Sequence, residues 1–283
     1  MGRNFGYLKR RAVGHFWLAF SVLSSLCAVA FLFWILGYVL SKGIHAINFD
    51  FFTKLPTPVG VPGGGMANAF VGSIIVIGMA SVVAVPAGIA TAIYLSEYGK
   101  GLFASAVRFV SDVLAGVPAI VAGIIAYTLV VVPMHGFSAL SGSVALTLLM
   151  LPIIIRSSEE IFKTVPDSLR EASLALGVPR WVTVLRIVVK TASGGLVTGV
   201  LLAVARVGGE AAPLLFTSSS NVFWSFKPNQ PMGTLPVQLF TYAISPYEEW
   251  HEKAWAAAFV LVSMVLLLNI SARLYLARKG FKR

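Results

Sequence analysis

Charge is scarce in this sequence, and negative charge is scarcest: 11 Asp and Glu stand among 283 residues, against 22 Lys and Arg, so that charged residues total only 12%. Soluble domains carry about 25% charged residues, and most of this surface therefore cannot face water. Hydrophobic residues reach 57% and mean hydropathy is +0.84; a water-soluble fold of that make-up would expose apolar patches larger than monomers tolerate. Cysteine is nearly absent. Cys27 alone excludes an internal disulfide, and its apolar surroundings suit an inert packing residue better than a reactive thiol. The histidines, His15, His45, His135 and His251, show no metal-ligand spacing, and no metal site is assigned. No loop of the form GxxxxGK[ST] occurs, and the length suits one membrane domain without an appended nucleotide-binding domain. If ATP drives this protein, another chain is expected to hydrolyse it.

What the sequence does have is long apolar runs. About 20 such residues cross a bilayer core of about 30 Å, and six segments qualify: near Phe16–Leu40, Ala69–Ser96, Ala106–Val132, Phe137–Ile155, Ala192–Phe216 and Ala254–Leu276. The expected fold is an all-α integral membrane protein with about six transmembrane helices, a single membrane domain over 1–283 with its core at 69–276. The first run is too long for a signal-peptide core and no small-residue cleavage site follows it. The net charge of +11 would suggest nucleic acid in a soluble protein, but no basic stretch interleaves with aromatics here. Instead the basic residues crowd into the ends and two of the connections, including Lys9, Arg10, Arg11, Lys100, Arg156, Arg170, Arg180, Lys279, Lys282 and Arg283, while the other side has only Lys42, Lys54, Lys227 and Lys253. That bias predicts both termini in the cytoplasm.

Two segments on the far side are long, about 41–68 and 218–253. The first holds Pro56, Pro58, Pro62 and Gly63-Gly64-Gly65; the second holds Trp224, four prolines and Glu248-Glu249. They read either as exposed loop with interfacial helix pieces or as a docking surface for an extracytoplasmic partner. Pro86, Pro118 and Pro213 interrupt three spans, which fits bent transporter helices better than a rigid anchor.

The connection at about 156–190 is polar yet helix-forming. Pro166 suits a first turn, Ser168 and Glu171 have capping-box spacing, Gly177 permits a left-handed end, and Pro179 stops continuation. Leu169, Ala172, Ser173 and Leu176 would share a weakly apolar face. Such a helix either packs under its own membrane domain or lies in a groove of another protein. Within the fifth span, Arg206 and Glu210 are four apart and share one face of the expected helix. A charge at mid-span costs about 2.5–3.5 kcal/mol on insertion scales and should face a cavity or a partner. Either the two neutralise each other and hold helices together, or Arg206 receives an anion through its planar fork of donors. Glu210 beside an anion would favour one that carries a proton, such as hydrogen phosphate. Arg108 and Asp112 read as a second four-apart pair, structural in role, and Glu97-Tyr98-Gly99-Lys100 as a turn on the basic side.

Glu171-Ala172-Ser173, with Gly177 four residues after Ser173 and Ile187 further on, resembles the EAA loop of ABC importer permeases, departing from it at Ser173 and at Val189-Lys190. Most of the chain after Asn68 resembles the A-type permease of the phosphate-specific (Pst-type) importers, through Asn68-Ala69-Phe70-Val71-Gly72-Ser73, Gly116-Val117-Pro118-Ala119, Leu151-Pro152-Ile153-Ile154-Ile155-Arg156 and Ala205-Arg206-Val207-Gly208-Gly209-Glu210. Ala211 stands where the family usually has Thr. The resemblance implies a type I ABC importer permease fold and a transport subunit rather than an enzyme. It implies ATPase coupling through Glu171, Ala172, Ser173 and Gly177, and a substrate pathway at Arg206 and Glu210. The expected partners are two copies of an ATPase subunit, a second, C-type permease, an extracytoplasmic phosphate-binding protein and membrane lipid, with no nucleic acid and no cofactor on this chain beyond the ATP used by its partner. The sister C-type permease, phosphonate or molybdate as substrate, an ion channel and a membrane scaffold stay open as alternatives.

Overall fold

The computed structural model describes residues 2–61 and 63–278, and within them no strand occurs. Pro62, Lys279, Lys282 and Arg283 lie outside the described residues, as do the side chains of Arg3, Arg273 and Arg278. The helices are α1 (Gly2–Gly43), α2 (Phe49–Thr53), α3 (Ala67–Ile93), α4 (Gly101–Gly116), α5 (Ala119–Ala126), α6 (Val132–Met134), α7 (Ala139–Lys163), α8 (Asp167–Ala175), α9 (Arg180–Thr183), α10 (Val189–Val207), α11 (Ala212–Leu215), α12 (Leu235–Ala243) and α13 (Glu248–Arg278). Single π-turns join α3 to its end at Tyr98, α5 to α6, and α9 to α10.

Among the described residues five helices are long and apolar enough to cross a membrane, and α4 with α5–α6 has the length and apolarity of a sixth only as a pair bent by 107°. The third expected span is thus not continuous. Val117 is extended and Pro118 follows it, as the steric restriction before proline requires. The fifth is corrected as well: α10 ends at Val207, the Gly208-Gly209 pair disfavours helix, and Pro213 sits in the separate α11. The fourth runs longer than expected, to Lys163, so the polar connection starts later than 156.

Small residues set the packing at the centre. Ala80, Ala84 and Gly88 recur every four residues on α3 and let it close on Leu146, Met150 and Ile154 of α7. Gly195 and Gly199 do the same for α10, where a Cβ would meet Ile161 and the Ser157 hydroxyl. With little hydrophobic force between helices in lipid, such close backbone approach supplies the van der Waals contact that holds them. Two further clusters cap the bundle: Ala92, Phe162, Val165, Val188 and Leu196 at the basic end, and Phe51, Met66, Leu235, Tyr242, Ala257 and Leu261 at the other.

The two long segments are exposed over much of their length and carry the helix pieces α2 and α12, whose inner sides belong to that second cluster. Phe51 of α2 and Leu235, Val237 and Gln238 of α12 are buried, and Ser73 Oγ accepts from the Leu235 N–H at 2.8 Å. Gly72 of α3 lies against the Gly233 carbonyl, leaving no room for a Cβ. Gly72→Ala is expected to cost about 1–3 kcal/mol, as overpacking does, and to lower the amount of membrane-inserted protein; wild-type levels on a quantitative immunoblot would contradict this packing. By contrast α1 stands off the bundle. It meets α13 through Gly43 against Trp255 and Phe259, and through Tyr38 edge-on to Trp255 at 5.3 Å. Phe31, Phe33, Trp34 and Cys27 on it are exposed, so the cysteine is not packed within the described chain.

Candidate functional site

The two broken spans meet. A small cavity of about 80 Å³ is lined by Leu114, Ala115, Val117 and Ala119 from the α4–α5 break, Leu149 and Ile153 from the middle of α7, and Arg206, Val207 and Glu210 from the end of α10. The breaks are locked together, because Gly123 of α5 lies against Pro213 of α11 closely enough that a Cβ would come within 2.6 Å of its Cα. Irregular backbone at membrane depth is tolerated where it lines a cavity, and paired interruptions of this kind mark binding sites in transporters. A larger cavity of about 350 Å³ beside Trp255 and Leu239 is lined almost wholly by apolar groups, and another of about 340 Å³ carries Lys253 together with Glu249 and Glu252, away from the helix breaks.

Arg206 lies in the last turn of α10 and Glu210 beyond it, in the turn closed by its own N–H donating to the Val207 carbonyl at 3.1 Å. They therefore do not share a helical face, as their spacing suggested, yet the turn between them leaves both on one cavity wall. No ion pair joins them, and none involves either residue among the described residues. The guanidinium is exposed and Glu210 half-buried. An unpaired guanidinium on a cavity between interrupted spans has its donors free for a tetrahedral oxyanion, which is the chemistry its planar fork fits.

The second expected site lies at the basic end. α8 begins after Pro166, which occupies the cap position itself, so Ser168 falls inside the first turn and the expected capping box with Glu171 does not form. The far end behaves as expected. Gly177 has φ +75°, its N–H donates to the Leu174 carbonyl at 2.9 Å and that of Val178 to the Ser173 carbonyl at 3.3 Å, a Schellman ending that only glycine adopts without strain. The expected common face is split. Ser173 is buried with its hydroxyl 2.8 Å from that of Thr183, whereas Leu169, Glu171, Ala172, Leu174 and Leu176 are exposed. The exposed side of α8 carries the Asp167 and Glu171 carboxylates beside Leu169, Ala172 and Leu174, and among the described residues only Asp167 of these charges is paired, to Arg170.

Three ion pairs between separate elements at this end, among the described residues, were not read from the sequence. Arg170 of α8 donates to the Glu97 carboxylate from Nε and, at 2.7 Å, from Nη2, and also to the carbonyls of Phe162 and Val165. That hydrogen bonding raises the pKa of a guanidinium already permanently charged. Arg108 and Asp112 do not pair with each other: Arg108 Nε donates to Glu159 at 2.8 Å and Asp112 pairs with Arg156, both across the α4–α7 contact. A partner on a packed neighbouring helix desolvates the contact more than an exposed four-apart pair on one helix would. The only signals available were a carboxylate closing a long apolar run, at Glu97 and again at Glu159.

Comparison with known proteins gives the family and the fold. The family described as "Binding-protein-dependent transport system inner membrane component" matches residues 84–279. A relative named "Phosphate transport system permease protein PstA" from Yersinia pestis is 45% identical over 95% of this chain and 92% of its own. The chain belongs to this permease family. A second PstA, from Haemophilus influenzae, is 40% identical over 98% of both chains. Among solved structures, a bacterial alginate ABC transporter in complex with its alginate-bound periplasmic protein covers 94% of this chain and 96% of its own at TM-score 0.68 and 12% identity. The MetNI methionine ABC transporter, inward facing, covers 75% of this permease at TM-score 0.58 and 18% identity. At those identities the likeness is one of fold, and the fold of this permease is that of the type I ABC importers.

Proposed function

We propose that this permease is the membrane-spanning subunit of an ATP-driven importer of inorganic phosphate, with Arg206 as the anion receptor on the translocation path. The observation that carries this reading is an unpaired guanidinium on a cavity where two interrupted spans meet, in a chain whose near full-length relatives are named for phosphate transport. Glu210, on the same wall, would repel a fully deprotonated anion and accept a hydrogen bond from a protonated one. Hydrogen phosphate therefore fits the pair better than sulfate does.

The basic end then faces the cytoplasm, as do both termini. The exposed side of α8, with Leu169, Glu171, Ala172 and Leu176, seats in a separate ATPase subunit, and Gly177 sets the angle at which the chain leaves it. Two ATPase copies, a second, C-type permease and an extracytoplasmic phosphate-binding protein complete the importer. ATP is hydrolysed on the partner, and this chain binds no cofactor of its own. ATP-driven closure of the ATPase pair would displace α8 and open the Arg206 cavity alternately to the two sides.

The test is uptake of radiolabelled phosphate by cells carrying the wild-type protein or Glu171→Ala, at matched membrane levels. Molybdate, a phosphonate or sulfate is added in excess as competitor. Phosphate uptake resistant to all three supports the substrate assignment, and competition by molybdate or phosphonate would move it to that anion. Glu171→Ala is expected to lower uptake about tenfold, the loss typical of a charged interfacial contact, and to weaken co-purification of the ATPase. Unchanged uptake and unchanged co-purification would remove α8 from the coupling role.

A further inference from the structure

The C-terminal end of α3 receives three arginines. A helix end leaves its last carbonyls without partners inside the helix, and here Leu95 O accepts from Arg108 Nη2 at 2.8 Å while Glu97 O accepts from Arg180 Nη2. The Glu97 side chain takes the third, Arg170, and both members are largely withdrawn from solvent, at 5% and 18% side-chain exposure. Arg180 also lies over the Tyr98 ring, 5.0 Å from its centroid. Arg170 belongs to α8 and Arg180 follows it directly after Gly177 and Pro179. One residue, Glu97, therefore holds both sides of the α8 hairpin, by its carboxylate and by its carbonyl.

The connection continues into the membrane core. The Tyr94–Tyr98 π-turn carries Glu97 on the end of the long α3 helix, and π-turns inside helices are frequent at functional positions. Further along α3, Gly88 lies so close to Ile154 of α7 that a Cβ would come within 2.7 Å of its Cγ2. Ile153, the residue before Ile154, lines the Arg206 cavity. Packed contacts without slack transmit displacement rather than absorb it.

We propose that the Glu97–Arg170 pair is the joint through which movement of α8 is passed to α3 and so to the wall of the Arg206 cavity. Glu97 is a positioning residue and touches no substrate. The proposal rests on α8 being the ATPase-coupling helix. A role in folding alone predicts loss of assembly when the pair is cut; a joint predicts assembled but uncoupled transporter.

The experiment is a double-mutant cycle in the full complex with Glu97→Gln, Arg170→Gln and both together. It follows uptake of radiolabelled phosphate, ATP hydrolysis and ATPase co-purification. Each single change is expected to lower uptake about tenfold, within the range of site-to-site coupling, while the ATPase stays bound and continues to hydrolyse ATP. The double variant should be no worse than either single one, because both cut the same joint. Unchanged uptake, an additive loss of about a hundredfold in the double variant, or a loss that merely tracks lost assembly would each overturn the joint. If the wild-type protein fails to co-purify with an ATPase at all, it is the coupling role of α8 that falls, and the two failures are told apart.

Discussion

Arg206→Ala is expected to lower phosphate uptake about a hundredfold or more while the protein still inserts and still retains its ATPase. Arg206 is exposed, but an anion bound to it in a closed pathway would make the contact a desolvated one, whose loss costs about 2–5 kcal/mol, and no other cation among the described residues lines the cavity to take its place. Insertion should not suffer, since a guanidinium on a spanning helix is itself a cost of about 2.5–3.5 kcal/mol that alanine relieves. A loss of uptake therefore cannot be assigned to a failure to reach the membrane, and immunoblotted levels check the point. Arg206→Lys keeps the charge and loses the planar fork, so it should recover only part of the activity. Uptake by the alanine variant within twofold of wild type would end the receptor role, and Arg206 would then be a group that holds the helix breaks together. The two readings also differ at Glu210. Under the receptor reading Glu210→Gln changes the preference between phosphate and sulfate, and under the structural one it changes neither.

The punctuation of the sequence was the legible part. Pro166, Gly177 and Pro179 delimit α8 as expected, and the six apolar runs give the spans in order. Each miss has a physical cause. A hydropathy window responds to composition and not to backbone direction, so Ala106–Val132 read as one span although Val117-Pro118 turns it by 107°. The same blindness joined α10 to α11 across Gly208-Gly209 and put Arg206 and Glu210 on one helix. Both residues nevertheless line one cavity, because a charge inside an apolar run must face a cavity whatever the local backbone does. The capping box failed because spacing alone does not say which residue occupies the cap, and Pro166 does. The Glu97–Arg170 contact spans 73 residues, and nothing local in either segment specifies the other.

The α4–α7 contact leads to the second large effect. Glu159 is fully buried, and its charge is met by Arg108 at 2.8 Å and by Lys163 at 3.2 Å, while its Oε2 has no hydrogen-bond partner. The partners differ in exposure: the Arg108 side chain is 33% exposed and Lys163 50%, so each can recover hydration that Glu159 cannot. Cutting the pair from the two sides is therefore unequal. Arg108→Ala leaves a buried carboxylate with only a half-solvated lysine beside it and strips Leu95 O of its donor as well, and it is expected to destabilise by about 3–5 kcal/mol, the range for an orphaned buried charge. Glu159→Ala leaves the charge on Arg108, which keeps its bond to Leu95 O and its access to water, and should cost clearly less. Adding Glu159→Gln to Arg108→Ala should restore part of the loss, since it removes the charge that was stranded. The readout is the fraction of purified protein that stays soluble and monodisperse in detergent after heating. If Glu159→Ala proved the more damaging of the two, or if Glu159→Gln gave no recovery in the Arg108→Ala background, the stranded carboxylate would not be the source of the instability. The contact would then act through packing, with Arg108 valued for its stem and its bond to Leu95 rather than for its charge.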